Sequence, residues 1–180
     1  MSTPHATYES DGSIATLTFN RPDARNAMTW DMYQALVDAC DRADDDAAIR
    51  VLILKGAGGK AFVAGTDISQ FTNFRTAEDG INYEQRIDQV LDRLERVTKA
   101  TIAQIQGVAA GGGCGIALTC DLRIATPESS GSAATSYMFN SSASAPAWAI
   151  PVAIRSHDCR VTPFSDPITG TDTASFSRRT

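Results

Sequence analysis

Between Ser13 and Ala125 the chain alternates short β-branched or apolar runs with stretches of helical period, and this alternation restricts its fold more than any other feature. Strand, helix, strand in succession is the pattern of an α/β architecture with parallel pairing, because the crossover helix carries the chain back to start the next strand in the same direction. Ser13–Phe19 alternates and reads as a strand, which Asn20-Arg21-Pro22-Asp23 breaks with turn residues. Thr29 is an N-cap for a helix to about Arg42, with Met32, Leu36, Val37 and Cys40 on one face. Asp44-Asp45-Asp46 reads as a solvated acidic loop that ends this helix. Arg50–Lys55 is a continuous apolar run suited to a strand buried on both faces. Gly56–Gly59 is a turn, Ala61–Val63 a brief extended piece, and Ala64–Ile68 a loop entering a helical turn. Ile81–Thr98 is a second amphipathic helix, with Ile87, Val90, Leu91, Leu94 and Val97 inward. Thr101–Ile105 and Leu122–Ala125 are further core strands on either side of a glycine-rich stretch and a short helix at Cys114–Thr119.

After Glu128 the composition breaks. No Leu, Lys, Glu or Gln occurs from Ser129 to Thr180, and roughly a third of that stretch is Ser or Thr. Residues 1–128 are therefore read as one core, and residues 129–180 as a poorly specified tail whose one sizeable apolar patch is Ala147–Ile154. The tail has the look of a shifted reading frame or a truncated product. Bulk properties narrow the function classes. A net charge of −5 gives no basic surface for nucleic acid. The first residues carry neither the basic nor the apolar segment of a secretory leader, and no apolar run approaches the ~20 residues of a membrane helix. Cys40, Cys114, Cys120 and Cys159 lack paired spacing, so reduced, buried thiols of a cytoplasmic protein are expected. His5 and His157 are too isolated for a metal site.

Three segments could carry chemistry. In Ala64-Gly65-Thr66-Asp67-Ile68 the glycine permits a sharp turn that can aim a backbone N–H into a cleft, although Asp67 capping a plain loop explains the same pattern. In Gly107–Leu118 three consecutive glycines, Gly111, Gly112 and Gly113, stand at a helix start. Free N–H groups there, with the helix dipole behind them, suit an anion or a developing oxyanion. This run lacks the Lys-Ser/Thr of a P-loop and fails the G-x-G-x-x-G register, which weighs against a nucleotide-binding oxidoreductase. In Asn20–Thr29, Arg21 and Arg25 beside a rigid turn could face phosphates or simply solvent.

Together the three segments, as Asn20–Met28, Ala61–Ile68 and Gly107–Ala125, resemble the crotonase (enoyl-CoA hydratase/isomerase) superfamily over about two-thirds of the chain. That resemblance implies a core of repeated ββα units with a helical C-terminal region, here missing or altered, and assembly as trimers or dimers of trimers. It implies an acyl-CoA thioester as substrate, with coenzyme A part of the substrate and no separate cofactor. By resemblance, the backbone N–H groups of Thr66 and Gly112 form the oxyanion hole. The CoA moiety lies along Arg25, Ala27, Ala64, Gly65, Asp67, Ile68 and Gly111: the Arg25–Ala27 loop follows pantetheine and phosphates, Ala64 and Ile68 meet adenine through backbone atoms, and Asp67 acts as a loop cap.

Two positions depart from the hydratase pattern. The glutamate that follows Gly-Gly-Gly-Cys in hydratases is Gly115 here, and the stretch Ser130–Ser136, where a second glutamate is expected, holds no acid. Hydration needs a placed acid and base, so an isomerase, hydrolase or decarboxylase subclass fits better. The alternative is a non-catalytic fragment that binds CoA weakly or joins an intact family subunit.

Overall fold

A computed structural model describes residues 5–72, 74–131 and 152–154. Its first element was not expected from the sequence. Strand β1 (Ala6–Asp11) pairs antiparallel with β2 (Ile14–Phe19), with Asp11 opposite Ile14 across the Gly12-Ser13 turn. Asp-Gly between extended runs is a strong hairpin signal. The exposed Glu9, Ser10 and Asp11 hide it, as polar residues on an edge strand often do.

Helix α1 (Trp30–Asp45) starts where Thr29 accepts a hydrogen bond from Met32 N and buries Met32, Tyr33, Leu36 and Cys40. Each such large apolar side chain removed from water contributes about 1.5–3 kcal/mol. Strand β3 (Val51–Gly56) then runs parallel to β2. Leu52 and Leu54 are fully buried while Val51 and Ile53 are only half-buried, so the expected burial on both faces holds for one face only. After the short β4 (Ala61–Val63) comes α2 (Ala77–Glu95). Its capping box is Thr76 Oγ1 accepting from Asp79 N and Asp79 Oδ2 accepting from Thr76 N. The helix therefore begins four residues before Ile81, in a turn too polar for hydrophobic periodicity to reveal. Ile87, Val90 and Leu94 are buried on it as expected, with Leu91 and Val97 partly so.

Strand β5 (Ala100–Ile105) adds parallel to β3. The two-residue β6 (Val108–Ala109) leads into α3 (Gly112–Thr119), β7 (Leu122–Ala125) lies parallel to β5, and β8 (Ser130–Gly131) follows. Strand β9 (Val152–Ile154) pairs antiparallel with β7. The main sheet has the order β1-β2-β3-β5-β7-β9, and β4, β6 and β8 form a second, parallel sheet. The units β3-β4-α2 and β5-β6-α3 each place one strand in each sheet and follow with a helix, which is the repeated ββα core of a crotonase-like α/β fold. The repeat is one of backbone path, without repetition in the sequence. One face of the main sheet carries the core: Ala15, Leu17, Phe19, Leu52, Leu54, Ala103, Ile105 and Ala125. Cys40, Cys114 and Cys120 are buried in the core. Most of the tail after Glu128, including Cys159, His157 and nearly all of Ser130–Ser136, lies outside the described residues.

Asp44 is not part of a solvated loop. It sits in the last turn of α1, pairs with Arg93 Nη2 at 2.8 Å, and accepts from Thr98 N at 2.9 Å and Thr98 Oγ1. It thereby ties α1 to the end of α2. Burial works to raise its pKa, but the hydrogen bonds from Thr98 and Arg93 outweigh burial and hold the carboxyl below its ordinary range. A carboxyl depressed in the folded state adds stability above its unfolded pKa of about 4 and loses it as pH falls through the folded value. Asp44→Asn is expected to cost about 1–2 kcal/mol at neutral pH. In urea denaturation the gap to the parent chain should close as the pH is taken well below 4.

Candidate active site

Asn26 organises the first loop. It is fully buried at φ 56°, a left-handed conformation that Asn tolerates better than most residues. Its Nδ2 donates to Ala57 O at 3.0 Å and Ala61 O at 2.7 Å, and its Oδ1 accepts from Arg21 N at 2.9 Å. The Asn20–Met28 loop is thus anchored to the chain leaving β3 and entering β4. Arg21 is turned back onto its own loop and the next one. Its Nη1 donates to Ala27 O at 2.7 Å and its Nη2 pairs with Asp67 at 2.9 Å. Arg25 keeps an exposed side chain, and its carbonyl accepts from Ala64 N at 3.1 Å.

These contacts join the first loop to the second. Met28 N donates to Gly65 O at 2.8 Å and Asp67 N donates to Met28 O at 2.9 Å, in the manner of a short parallel bridge. Gln70 Nε2 donates to Met28 O as well. The segments that carry Arg25 and Ala27, and Ala64 to Ile68, are therefore bonded side by side. Asp67 has the capping role expected of it: its carboxylate accepts from Ser69 N at 3.0 Å and pairs with Arg21. The bonds from Ser69 first, then Arg21, hold that carboxyl below its ordinary range. Ile68 starts the 3-10 turn Ile68–Phe71 and is 81% exposed, an unusual position for an isoleucine.

The third segment is tied in through Ala110 N, which donates to Val63 O at 3.0 Å. Gly111 lies in contact range of Gly65, since a Cβ on Gly111 would stand 3.6 Å from Gly65 Cα. A Cβ on Gly113 would overlap Val63 O, and one on Gly112 would come within 2.7 Å of Tyr33 Oη and 3.3 Å of Thr66 Oγ1. The glycine run is thus set by the close approach of the α3 start to β4 and to the Thr66 loop. Gly115 is different, because a Cβ there would meet only Leu91 Cδ1, at an ordinary 3.5 Å. The far end of α3 is held by Arg123, whose Nη1 donates to the carbonyls of Ala117, Leu118 and Cys120. Asp121 accepts from Thr101 N and Oγ1. The Cys120–Arg123 segment is therefore a brace that keeps the N-terminus of α3 aimed at the Thr66 loop.

Among the described residues, neither the N–H of Thr66 nor that of Gly112 has a hydrogen-bond partner. The two lie on adjoining segments, and Gly112 opens α3, where the helix dipole adds partial positive charge. Two such donors can hold an oxygen that gains negative charge. Next to them stands a feature the sequence did not disclose: Thr66 Oγ1 lies 2.8 Å from Tyr33 Oη and 2.7 Å from Tyr83 Oη. Burial pushes the Tyr33 phenol up to about 12, against the hydrogen bond shared with Thr66, which works to lower it. Trp30 packs on both tyrosines, and the Arg86 guanidinium lies 3.9 Å above its ring. Tyr33 follows a predicted core position on α1, and Tyr83 lies within the predicted helix but off its inward face. No spacing rule links either to Thr66, which is distant in sequence.

The mixed main sheet, the short second sheet and the Gly-rich start of α3 together define a crotonase-superfamily subunit. The chain belongs to the enoyl-CoA hydratase/isomerase family, whose sequence model matches residues 9–154 and so runs past Glu128. It is 41% identical over 118 residues to the short-chain-enoyl-CoA hydratase of Clostridium acetobutylicum, a match covering 66% of this chain and 45% of that protein. It is 38% identical over 117 residues to the crotonyl-CoA hydratase of Syntrophomonas wolfei, covering 65% and 45%. The crystal structure of an enoyl-CoA hydratase/carnithine racemase from Magnetospirillum magneticum superimposes with a TM-score of 0.68 at 36% identity, covering 72% of this chain and 49% of that one. The matches thus span under half the length of these curated relatives. Among the described residues no helix is long and apolar enough to cross a membrane.

Proposed function

We propose that this chain binds an acyl-CoA thioester and stabilises its enolate, with the thioester oxygen held between the backbone N–H groups of Thr66 and Gly112. The observation that carries this reading is that, among the described residues, the N–H groups of Thr66 and Gly112 have no partner, on adjoining segments with Gly112 at the N-terminus of a braced helix. Charge that develops on the oxygen when the α-carbon loses a proton meets donors already in place, and each is worth on the order of 3 kcal/mol in the transition state. Arg25, Ala27, Ala64, Gly65, Asp67, Ile68 and Gly111 are assigned to the CoA portion. Ala64 and Ile68 would meet the adenine through backbone atoms, and Arg25 offers an exposed cation to the phosphates. The names of the relatives, hydratases of short-chain enoyl-CoA and of crotonyl-CoA, support the substrate class.

Reaction type is a separate matter. Gly115 contributes no carboxylate, and the Asp67 carboxylate is engaged by Arg21 and Ser69. Chemistry that adds no water across a carbon–carbon double bond, as in an isomerase, hydrolase or decarboxylase, fits that inventory better than hydration. The same observation favours a second reading, a subunit that binds CoA without turnover and associates with an intact family member. Homotrimeric assembly, drawn from the family, belongs to these proposals too.

Trp30 offers the test. It contacts both tyrosines beside Thr66, so acyl-CoA entering the cleft should change its emission. In a Trp148→Phe background, which leaves Trp30 the sole indole, butanoyl-CoA should give a saturable change and NAD none. No response to butanoyl-CoA, in fluorescence and calorimetry alike, would overturn the proposal. Binding without turnover of enoyl, branched or malonyl thioesters would favour the second reading.

A further inference from the structure

Thr66 is gripped by two helices. Its Oγ1 lies 2.8 Å from Tyr33 Oη on α1 and 2.7 Å from Tyr83 Oη on α2. A hydrogen bond between the two phenols adds to the effect of burial on Tyr33, so the three hydroxyls close on one another. Three protons then serve three contacts, and either sense of circulation satisfies every group. A buried network of this kind stiffens what it joins, because breaking one contact leaves a polar group unpaired. Aromatic packing holds the phenols in turn. Trp30 lies against both rings, and Phe71 and Phe74 lie edge-on to Tyr83.

The same hydroxyls bear on Gly112. A Cβ there would stand 2.7 Å from Tyr33 Oη and 3.3 Å from Thr66 Oγ1, so the hydroxyls occupy the space that a side chain would fill. Of the two residues assigned above to the thioester oxygen, Thr66 is therefore part of the hydroxyl cluster and Gly112 rests against it. The backbone bonds at Met28 tie the Thr66 segment to the first loop, whereas the hydroxyl cluster ties it to the start of α3.

We propose that the hydroxyls of Tyr33, Thr66 and Tyr83 are a positioning device that sets the spacing between the Thr66 and Gly112 N–H groups, and that the hold on the enolate depends on it. This rests on the acyl-CoA reading above and deepens it. The hydroxyls touch no reacting atom and act through the two donors. Such donors stabilise an oxyanion only where both come within about 2.7–3.1 Å of it. A misplacement of about 1 Å can cost on the order of a hundredfold. Binding of an uncharged thioester, carried largely by its CoA portion, depends far less on that spacing.

Acetoacetyl-CoA reads the spacing, because its enolate absorbs in the near ultraviolet where the neutral form does not. Two donors at the thioester oxygen favour the enolate, so the bound thioester should ionise at a lower pH than the free one. Tyr33→Phe, which removes one oxygen and keeps the ring, should raise the pKa of the bound thioester by about one unit, a tenfold weaker hold on the enolate. Thr66→Val, of the same shape without the hydroxyl, should do likewise, and Thr66→Ser should recover most of the loss. Butanoyl-CoA affinity, followed by calorimetry, should change less than the hold on the enolate. A folded Tyr33→Phe or Thr66→Val chain that keeps the parent value overturns the assignment and leaves acyl-CoA binding intact, as does equal weakening of both ligands. The two substitutions lie on different elements, so loss of a cooperative melt in one leaves the other to decide. A parent chain that binds acetoacetyl-CoA without lowering its pKa overturns the oxyanion reading itself.

Discussion

Asn26→Ala is expected to cost the chain about 3–4 kcal/mol of stability and to abolish acyl-CoA binding. Three terms add. The carbonyls of Ala57 and Ala61 lose their donor and Arg21 N loses its acceptor, each loss worth about 1–3 kcal/mol where water cannot substitute. Not all are fully enclosed, which keeps the sum toward the low end. The φ of 56° then costs Ala about 1 kcal/mol more than it costs Asn. Asn26→Gly separates the contributions, because it removes the backbone strain while leaving all three hydrogen bonds unmade. Urea denaturation should place Asn26→Gly between the parent chain and Asn26→Ala. Binding should fail in both, since Asn26 anchors the loop whose Met28 aligns the Thr66 segment.

Gly112→Val should leave more of the fold and remove the site. A Cβ at this position comes within 2.7 Å of Tyr33 Oη and 3.3 Å of Thr66 Oγ1, and branching beyond it enters the space between the two proposed donors. Tyr33 is buried and held by Thr66, so it cannot swing clear as a surface side chain would. One donor should be displaced and the oxygen position filled. The expected loss is on the order of a hundredfold or more in affinity for an enolate analogue, the scale seen when one oxyanion donor is removed. Calorimetry with such an analogue measures it, and a Gly112→Val chain that binds normally would relocate the site.

The sequence made some of this legible for identifiable reasons. Helix α1 was readable because Thr29 is a strong N-cap and Met32, Leu36 and Cys40 fall on one face. The glycine run pointed to a helix start because nothing but glycine suits three consecutive positions so close to other backbone. Strand β1 and the first turn of α2 were obscured by polar residues, whose role there is edge protection and capping rather than core. The short strands β6 and β8 are two residues each, too brief for any period to register. Asp44 read as solvated because its partners, Arg93 and Thr98, lie about fifty residues away in sequence. For the site, the Thr66 and Gly112 positions came from a resemblance in loop motifs. The Tyr33–Thr66–Tyr83 chain was invisible, because it joins three elements through side chains that individually look like ordinary core aromatics and a loop threonine. The buried Asn26 belongs to the same class, since its partners become apparent only once β3 and β4 are in place.

The central claim is that Thr66 and Gly112 donate to a thioester oxygen, and the carbonyl itself reports on that. Infrared difference spectra of butanoyl-CoA carrying carbon-13 at the thioester carbonyl isolate one stretching band for the bound ligand. Two backbone donors on the oxygen should draw electron density from the C=O bond and move that band to lower wavenumber than in water, and Gly112→Val should abolish the bound, shifted band. A bound thioester whose band stays at its solution position, in a chain that binds it saturably, would contradict the claim.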